Sequence, residues 1–165
     1  MALRRSWIIG ALAGASLVSC AAPPNLNDPA TNPAPPLAQL DDPEAVPLGD
    51  LPRQDLAPGE CALFLWTRRQ PPQFVFMGRT NGEALLALAD GPAKLERTAF
   101  TGEPIRQQFS EQTFFEPKEQ LEVKVSVTRG RELDDGVTAP SGVIRLKRAS
   151  GWQTVVPVGG LVGCK

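Results

Sequence analysis

LEVKVSVT, residues 121–128, alternates apolar and polar side chains without a break. Successive side chains of an extended chain point to opposite faces, so the leucine and the three valines share one face and the polar residues share the other. That period of two is typical of a strand with one face in a core and the other in solvent. The stretch therefore predicts a β structure with an apolar interior.

Two pairs of apolar runs predict β-hairpins. CALFLWT (61–67) and PQFVFMG (72–78) are joined by arginines and prolines, and VIRLKR (143–148) and WQTVVPV (152–158) are joined by Ala-Ser-Gly. Short apolar runs separated by turn-forming residues are typical of antiparallel neighbours. In the second pair, Ile144 points inward by the same alternation.

Two other stretches allow more than one interpretation. NGEALLALADG (81–91) consists of good helix formers, but it is short and bounded by Asn-Gly and Asp-Gly turn signals, so we favour a strand. GEPIRQQFSEQTFFE (102–116) is compatible with a helical turn at its start. There Pro104 would take the first helical position, and Ile105 and Phe109 are one turn apart.

These patterns indicate the fold class. Seven or eight short strands at a spacing of about ten residues are typical of a small antiparallel β-barrel or sandwich. The strands fall within residues 59–165, a length sufficient for one modest core. We therefore expect a single, mainly all-β domain in this part of the chain.

The chain begins with the layout of a secretory signal peptide. Arg4 and Arg5 precede an uncharged apolar stretch, residues 7–18. That stretch is shorter than the roughly 20 residues needed to span a bilayer, so it indicates targeting and not a transmembrane helix. We assign residues 1–19 to the signal peptide.

The end of this segment, Leu17-Val18-Ser19-Cys20, resembles the lipobox of bacterial lipoproteins. The resemblance implies that the signal peptide is removed before Cys20, that its thiol is diacylated, and that the new amino terminus is acylated too. Several acyl chains exceed the two signals that stable membrane anchoring requires. Ala21 in place of Asp implies export to the outer membrane, with the protein facing the periplasm. An ordinary signal peptide cleaved nearby is the alternative.

Residues 20–58 have the composition of a tether. From Ala21 to Pro58 there are ten prolines, six acidic residues and one basic residue. The segment has too few large apolar side chains to offset the entropy that its chain would lose on folding. We therefore expect an acidic, proline-rich, disordered linker after the lipidated Cys20. NPAPPLAQL also contains a PxxP-like spacing, which some groove-type domains bind. We favour a spacer.

Two further cysteines lie at the two ends of the predicted domain. Cys61 opens the first predicted strand and Cys164 closes the last, and the periplasm is oxidising. With Cys20 acylated, Cys61–Cys164 is the pairing that remains, and two buried free thiols are the alternative. A disulfide here would make the terminal strands neighbours, as closure of a barrel requires.

The residue types argue against several classes of function. The chain has no histidine and no tyrosine, which removes His-based catalytic triads and the commonest metal ligand. Asp134 and Asp135 lie in RGRELDDG, a sequence typical of a solvated hairpin loop. A formal net charge of −1 gives no field for nucleic acid. We therefore expect no enzyme, no catalytic residues, no cofactor, no metal site and no nucleic-acid partner.

Binding is the class of function that remains. In an up-and-down arrangement the connections at 67–72 and 147–151 emerge at the same end. That arrangement would gather four candidate binding residues, which are Arg68, Arg69, Lys147 and Arg148. They would suit a partner that carries phosphates or carboxylates, either an anionic envelope component or an envelope protein. The alternative is that these four side chains only make the loop tips soluble. Trp66 and Trp152 flank these loops as further candidates, although packing in the core is the commoner role of a lone tryptophan.

The lipobox, the small β domain and the terminal VGCK are similar to the membrane-bound inhibitors of C-type lysozyme. ALLALADGPAKL (84–95) is similar to a strand-turn-strand of that family. The resemblance implies a small barrel that offers loops to an enzyme's cleft. The family's inhibitory loop carries Ser-Gly and then tyrosine, whereas this chain has only Ser150-Gly151-Trp152, so no inhibitory residue is carried over.

Taken together, these features predict a membrane-anchored envelope lipoprotein. Its periplasmic β domain would act as a binding or scaffolding module. The alternative is a periplasmic inhibitor of a lysozyme or muramidase.

Overall fold

A computed structural model describes residues 48–165 of the chain. The predicted signal peptide, the predicted lipidation site Cys20 and the predicted linker up to residue 47 lie outside the described residues. Within residues 48–165 the structure contains strands and turns and no helix. The all-β class predicted from the alternating patterns is confirmed.

Nine antiparallel strands account for the domain. They are β1 Cys61–Thr67, β2 Phe74–Arg79, β3 Glu83–Leu88, β4 Gly91–Ile105, β5 Gln108–Glu116, β6 Leu121–Thr128, β7 Glu132–Leu133, β8 Gly136–Arg148 and β9 Gln153–Cys164. The first six strands pair in chain order, β6 pairs with β8, β8 with β9, and β9 returns to β1. Eight strands thus close an up-and-down barrel, while the short β7 pairs with β8 outside the ring.

The interior of the barrel is filled by side chains. The apolar face of β6 points inward as its alternation predicts, and Leu121 and Val123 are inaccessible to solvent. Phe76 and Phe114 meet edge to face inside the ring, with 5.3 Å between ring centroids. Gly78 makes room for them, since a Cβ there would lie 3.1 Å from the Phe76 ring. The interior is therefore a packed core, as is usual for an eight-stranded barrel of this size.

Two glutamines are also buried inside the ring, and both are hydrogen-bonded. Gln108 Nε2 donates to the carbonyl of Gly78 at 3.2 Å, and Gln112 Nε2 donates to Gln108 Oε1 at 3.2 Å. Arg97 Nη1 donates to Gln112 Oε1 at 3.0 Å. This chain of hydrogen bonds satisfies the buried polar groups and closes one end of the core.

A disulfide joins the first and last strands of the barrel. Cys61 and Cys164 stand opposite each other in the β1–β9 register, with their sulfurs 2.01 Å apart. The predicted pairing is therefore confirmed, and so is the prediction that the terminal strands are neighbours. The backbone N–H of Gly59 also donates to the carbonyl of Lys165 at 2.6 Å, so the chain on either side of the bond is held together as well.

Residues 48–58, which we call the strap, lie against the outside of the barrel. Leu48 forms a β-bridge with Leu88, and the N–H of Leu51 donates to the carbonyl of Phe74 at 2.7 Å. Leu51 is only 5% exposed, and Leu56 packs against the same outer apolar cluster. Part of the stretch that was assigned to the linker from its composition therefore lies against the barrel, where the leucines of the strap and its backbone hydrogen bonds hold it.

The far end of the strap is fastened by Glu60. The N–H of Ala57 donates to Glu60 Oε2 at 2.9 Å, and Arg79 Nη1 donates to Glu60 Oε1 at 2.6 Å. The hydrogen bond from Ala57, and then the Arg79 guanidinium, hold the pKa of the Glu60 carboxyl below its usual value. Arg79 Nη2 also donates to the carbonyl of Asp55 at 3.1 Å, so one arginine ties the strap to β2.

The two ambiguous stretches are both strand. Residues 81–91 contain β3, which confirms the favoured interpretation. The helical turn considered for the start of 102–116 is wrong, because this stretch is the end of β4, a turn and β5. Ile105 stands opposite Gln108 in the β4–β5 register and is fully buried. Cross-strand pairing and burial of Ile105 outweigh the weak local preference for a helical turn.

Candidate functional site

Three aromatic side chains form a stack on the outer face of β1 and β2. Because Leu63 and Leu65 point into the core, the alternating Phe64 and Trp66 point outward. The Trp66 ring centroid lies 5.0 Å from that of Phe74 and 6.4 Å from that of Phe64. All three rings are half-buried. The strap covers the Phe64 and Phe74 side of the stack, and Trp66 stands at its other end.

A depression of about 660 Å³ lies beside Trp66. It is lined by Trp66, Thr67, Arg68, Arg131, Thr138, Ala139, Pro140, Gly159 and Gly160, and we call it the Trp66 groove. Gly159 stands opposite Trp66 in the β1–β9 register and leaves the floor of the groove without a side chain. Gly160 is required for another reason: a Cβ there would lie 1.8 Å from the backbone oxygen of Phe64. β1 and β9 therefore approach each other too closely at Gly160 for any side chain to fit.

Two arginines flank the groove. Arg68 follows β1 directly, and its guanidinium donates to the carbonyl of Pro140. Arg131 is exposed, and its backbone is fixed by Thr138, whose hydroxyl accepts from the Arg131 N–H at 2.7 Å. Within residues 48–165 neither guanidinium forms an ion pair, and the groove lining contains no acidic residue. The groove therefore combines an aromatic face, a flat floor and two positive charges.

The comparisons with known proteins come to one result. No protein-family model, no curated protein and no solved structure matches the chain. The resemblances to bacterial lipoproteins and to the lysozyme inhibitors therefore stay predictions.

The structure brings together only some of the six candidate binding residues. Trp66 and Arg68 meet in the Trp66 groove. Lys147 lies elsewhere: it pairs with Gln153, whereas the Arg68 N–H donates to the carbonyl of Pro157, four residues away along β9. Four residues of extended chain span about 13 Å. The two loops emerge at the same end, but β8 and β9 extend well beyond β1.

The other three candidates have local contacts. Arg69 donates to the side chain of Gln73 within its own loop. Arg148 lies over the ring of Trp152, 5.7 Å from its centroid, and its Nη2 is 3.7 Å from a carboxylate oxygen of Glu119. Trp152 itself packs against the barrel core. The single basic end that the sequence suggested is therefore divided into a cationic groove and a region of mixed charge.

Arg131 was not among the predicted site residues. It reaches the groove because the segment before β8 folds back along that strand, and the N–H of Thr138 donates to the carbonyl of Arg131 at 2.9 Å. No local sequence signal marks this contact. The position of Gly159 opposite Trp66 likewise depends on the β1–β9 register.

A second charged cluster fastens the turn after β4 to the loop after β6. Arg129 Nη1 lies 3.2 Å from Glu103 Oε1, its Nη2 pairs with Glu132, and Arg106 Nη2 lies 3.2 Å from Glu132 Oε2. Hydrogen bonds from Glu132, and then from Glu103, raise the pKa of Arg129 above its usual value. Because each charge has an opposite partner, we assign this cluster a structural role.

Within residues 48–165 no group of three or more His, Cys, Asp or Glu side chains is placed to hold a metal ion. No helix long and apolar enough to cross a bilayer occurs there either. Asp134 and Asp135 are exposed, as the loop sequence predicted.

Proposed function

We propose that the protein is a membrane-anchored envelope lipoprotein whose β-barrel serves as a binding module in the periplasm, and not as an enzyme. The lipobox-like LVSC supports the anchor. The filled core supports binding at the outer surface, since Phe76 and Phe114 occupy the space where many barrels hold a ligand. The partner we propose is an envelope component that carries carboxylates or phosphates.

The observation that carries this proposal is the Trp66 groove. A half-exposed tryptophan next to arginines is the combination most often found at binding hot spots. Arg68 and Arg131 can each donate two parallel hydrogen bonds to a carboxylate or phosphate. The glycine floor lets such a group approach the strand backbone closely.

Affinity capture from envelope extracts tests the groove. The full chain should retain a partner, and Trp66→Ala or Arg131→Glu should weaken that capture at least about 10-fold, as loss of a hot-spot residue does. Arg145→Glu is the matched control, because Arg145 is an exposed arginine on the outside of β8 that does not line the groove. Capture should also weaken as salt rises, since exposed charges are screened over about 8–10 Å at physiological ionic strength.

The outcomes of this experiment are distinct. Equal capture by the wild type, Trp66→Ala and Arg131→Glu would reject the groove as the binding site. Capture of a glycosidase in a one-to-one complex would favour the lysozyme-inhibitor alternative. Circular dichroism of each variant establishes that a loss of capture does not arise from unfolding.

The anchor is tested separately. Cys20→Ala removes the thiol that the lipobox-like motif would acylate, so the protein should move from the membrane fraction to the periplasmic fraction. Mass spectrometry should find the mass of the acyl chains on the wild type only. Continued membrane association of the variant, together with an unmodified wild type, would exclude the lipoprotein proposal.

A further inference from the structure

The strap binds both backbone polar groups of Phe74. The N–H of Phe74 donates to Asp50 Oδ1 at 2.8 Å, and its carbonyl accepts from the N–H of Leu51 at 2.7 Å. Phe74 is the first residue of β2, and the β1–β2 register shifts beside it, between Leu65 and Trp66. The strap therefore holds Phe74 at a point where the β1–β2 ladder is irregular.

The strap also lies where β2 and β3 begin to pair. The β2–β3 register starts at Phe76 and Leu86, two residues after Phe74. On the β3 side, the N–H of Gly49 donates to the carbonyl of Ala87 at 3.1 Å, while the next two strap residues bind Phe74 on β2. The strap thus joins the two strands beside the aromatic stack, ahead of their own ladder.

The position of the Trp66 ring depends on Phe74. Trp66 has two neighbours across the sheet, Phe74 on β2 and Gly159 on β9. Cross-strand side-chain pairs stabilise the surface of a sheet, but a glycine contributes no side chain to such a pair. The Phe74 ring, with its centroid 5.0 Å from that of Trp66, is therefore the cross-strand support of the indole. A displaced Phe74 would let the indole leave the wall of the Trp66 groove.

We propose that the strap regulates the Trp66 groove: Asp50 and Leu51 position Phe74, and Phe74 holds the Trp66 ring in the orientation that binds the partner. This inference rests on the proposed function, because it concerns the same groove. Asp50 and Leu51 are positioning residues, since neither lines the groove.

The two states of the regulation are the attached and the detached strap. A surface segment with few buried side chains opens more readily than a barrel core, so the strap can exchange between these states while the barrel stays folded. A partner that binds the ordered groove favours the attached strap, and an attached strap favours the partner to the same extent. Any event that lifts the strap then releases the partner.

Tryptophan-indole NMR of the isotope-labelled full chain in detergent micelles tests this coupling without a partner. The chain has three tryptophans, and Trp66→Phe identifies the Trp66 resonance. Asp50→Ala removes the acceptor of the Phe74 N–H, whereas Asp50→Asn keeps an oxygen that can accept the same bond.

A second variant loosens the strap at another contact. In Gly49→Ala the added Cβ would lie 2.8 Å from the backbone oxygen of Leu88, so the strap must move away from β3. Arg53→Ala is the matched control, because its exposed side chain pairs only within the strap, 3.9 Å from Asp55. Circular dichroism of each variant establishes that the barrel is folded.

The Trp66 resonance should shift in Asp50→Ala and Gly49→Ala and keep its wild-type position in Asp50→Asn and Arg53→Ala. The Trp152 resonance should stay in place in all four. A Trp66 resonance that is unchanged in both Asp50→Ala and Gly49→Ala would overturn the proposal. An equal shift in Asp50→Asn would also overturn it, because the hydrogen bond to Phe74 would then not be the cause.

The partner provides the reciprocal measurement. Asp50→Ala and Gly49→Ala should weaken capture at least about 5-fold, as is typical of coupled sites. In the wild type, the bound partner should slow hydrogen exchange at the Leu51 N–H by a similar factor. The two proposals fail separately. If Trp66→Ala weakens capture but the two strap variants do not, only the strap inference fails. If the Trp66 resonance shifts as expected but capture is unaffected by Trp66→Ala, only the proposed function fails.

Discussion

Replacing Cys61 and Cys164 together by serine should destabilise the barrel by about 4–5 kcal/mol. The bond spans a sequence separation of 103 residues. Closing a loop of about 100 residues lowers the conformational entropy of the unfolded chain by an amount worth about 4.7 kcal/mol at 25 °C. The folded barrel should change little, because the β1–β9 register continues through seven residue pairs from the disulfide to Thr67 and Val158.

Urea unfolding followed by tryptophan fluorescence measures the difference in the free energy of unfolding. Thermal unfolding should show the midpoint lower by roughly 15–20 °C for a domain of about 120 residues. Cys20→Ser is the matched control, because it removes the third cysteine and leaves the bond intact. The wild type under reducing conditions should unfold at the same urea concentration as the double variant.

A loss below about 1 kcal/mol, with the urea dependence of the free energy unchanged, would refute this reasoning. It would mean that the reduced, unfolded chain already keeps its ends close together, so that the bond removes little entropy. A much larger loss, with altered spectra of the folded state, would mean instead that β1 and β9 separate once the bond is broken.

Three further changes test other contacts. Leu51→Ala should lower the free energy of unfolding in urea by about 2–4 kcal/mol, because this strap residue is only 5% exposed. Arg53→Ala is the control, and it should change the free energy of unfolding by less than about 0.5 kcal/mol because the Arg53 side chain is exposed. Folding lowers the pKa of the Glu60 carboxyl from 4.5, so the ionised carboxylate stabilises the barrel at pH values above 4.5. This contribution to the free energy of unfolding should be lost as the pH falls further in the wild type, whereas Glu60→Gln should show no such loss. Gly160→Ala should impair folding far more than Gly159→Ala, because the added Cβ would lie 1.8 Å from a backbone oxygen of β1, against 3.3 Å for the nearest atom at Gly159. Circular dichroism and thermal unfolding measure this difference.

The strands that could be predicted from the sequence are those whose own side chains alternate or form a compact apolar run. The bounds of β1 and β6 agree with the patterns at residues 61–67 and 121–128. The long β4 gave no such signal, since residues 98–104 are exposed on both faces. That part of β4 is a strand because it pairs with β5 across a hairpin, and this pairing requires no alternation of side chains in β4 itself.

The candidate site was only half predictable for a similar reason. Arg68 was singled out because its loop shares an end of the barrel with a second basic loop, and Trp66 because it flanks that loop. Arg131 reaches the groove through its hydrogen bonds to Thr138, and Lys147 lies away from it because β8 and β9 continue beyond β1. Residue types and spacing indicate which loops share an end of a barrel, but strand lengths and registers decide which side chains meet.

Closure of the barrel also has a consequence for contacts between copies of the chain. Copies held on a membrane by the proposed anchor would diffuse in two dimensions, and open sheet edges on such neighbours would invite association by strand addition. Here every strand of the ring has two partners over part of its length. The edges left among residues 48–165 are the two-residue β7 and strand ends that run past a neighbour, such as residues 98–104 of β4 and 153–157 of β9. Pro104 and Pro157 lie in these two ends and remove backbone donors from them, which limits the addition of a strand from another chain.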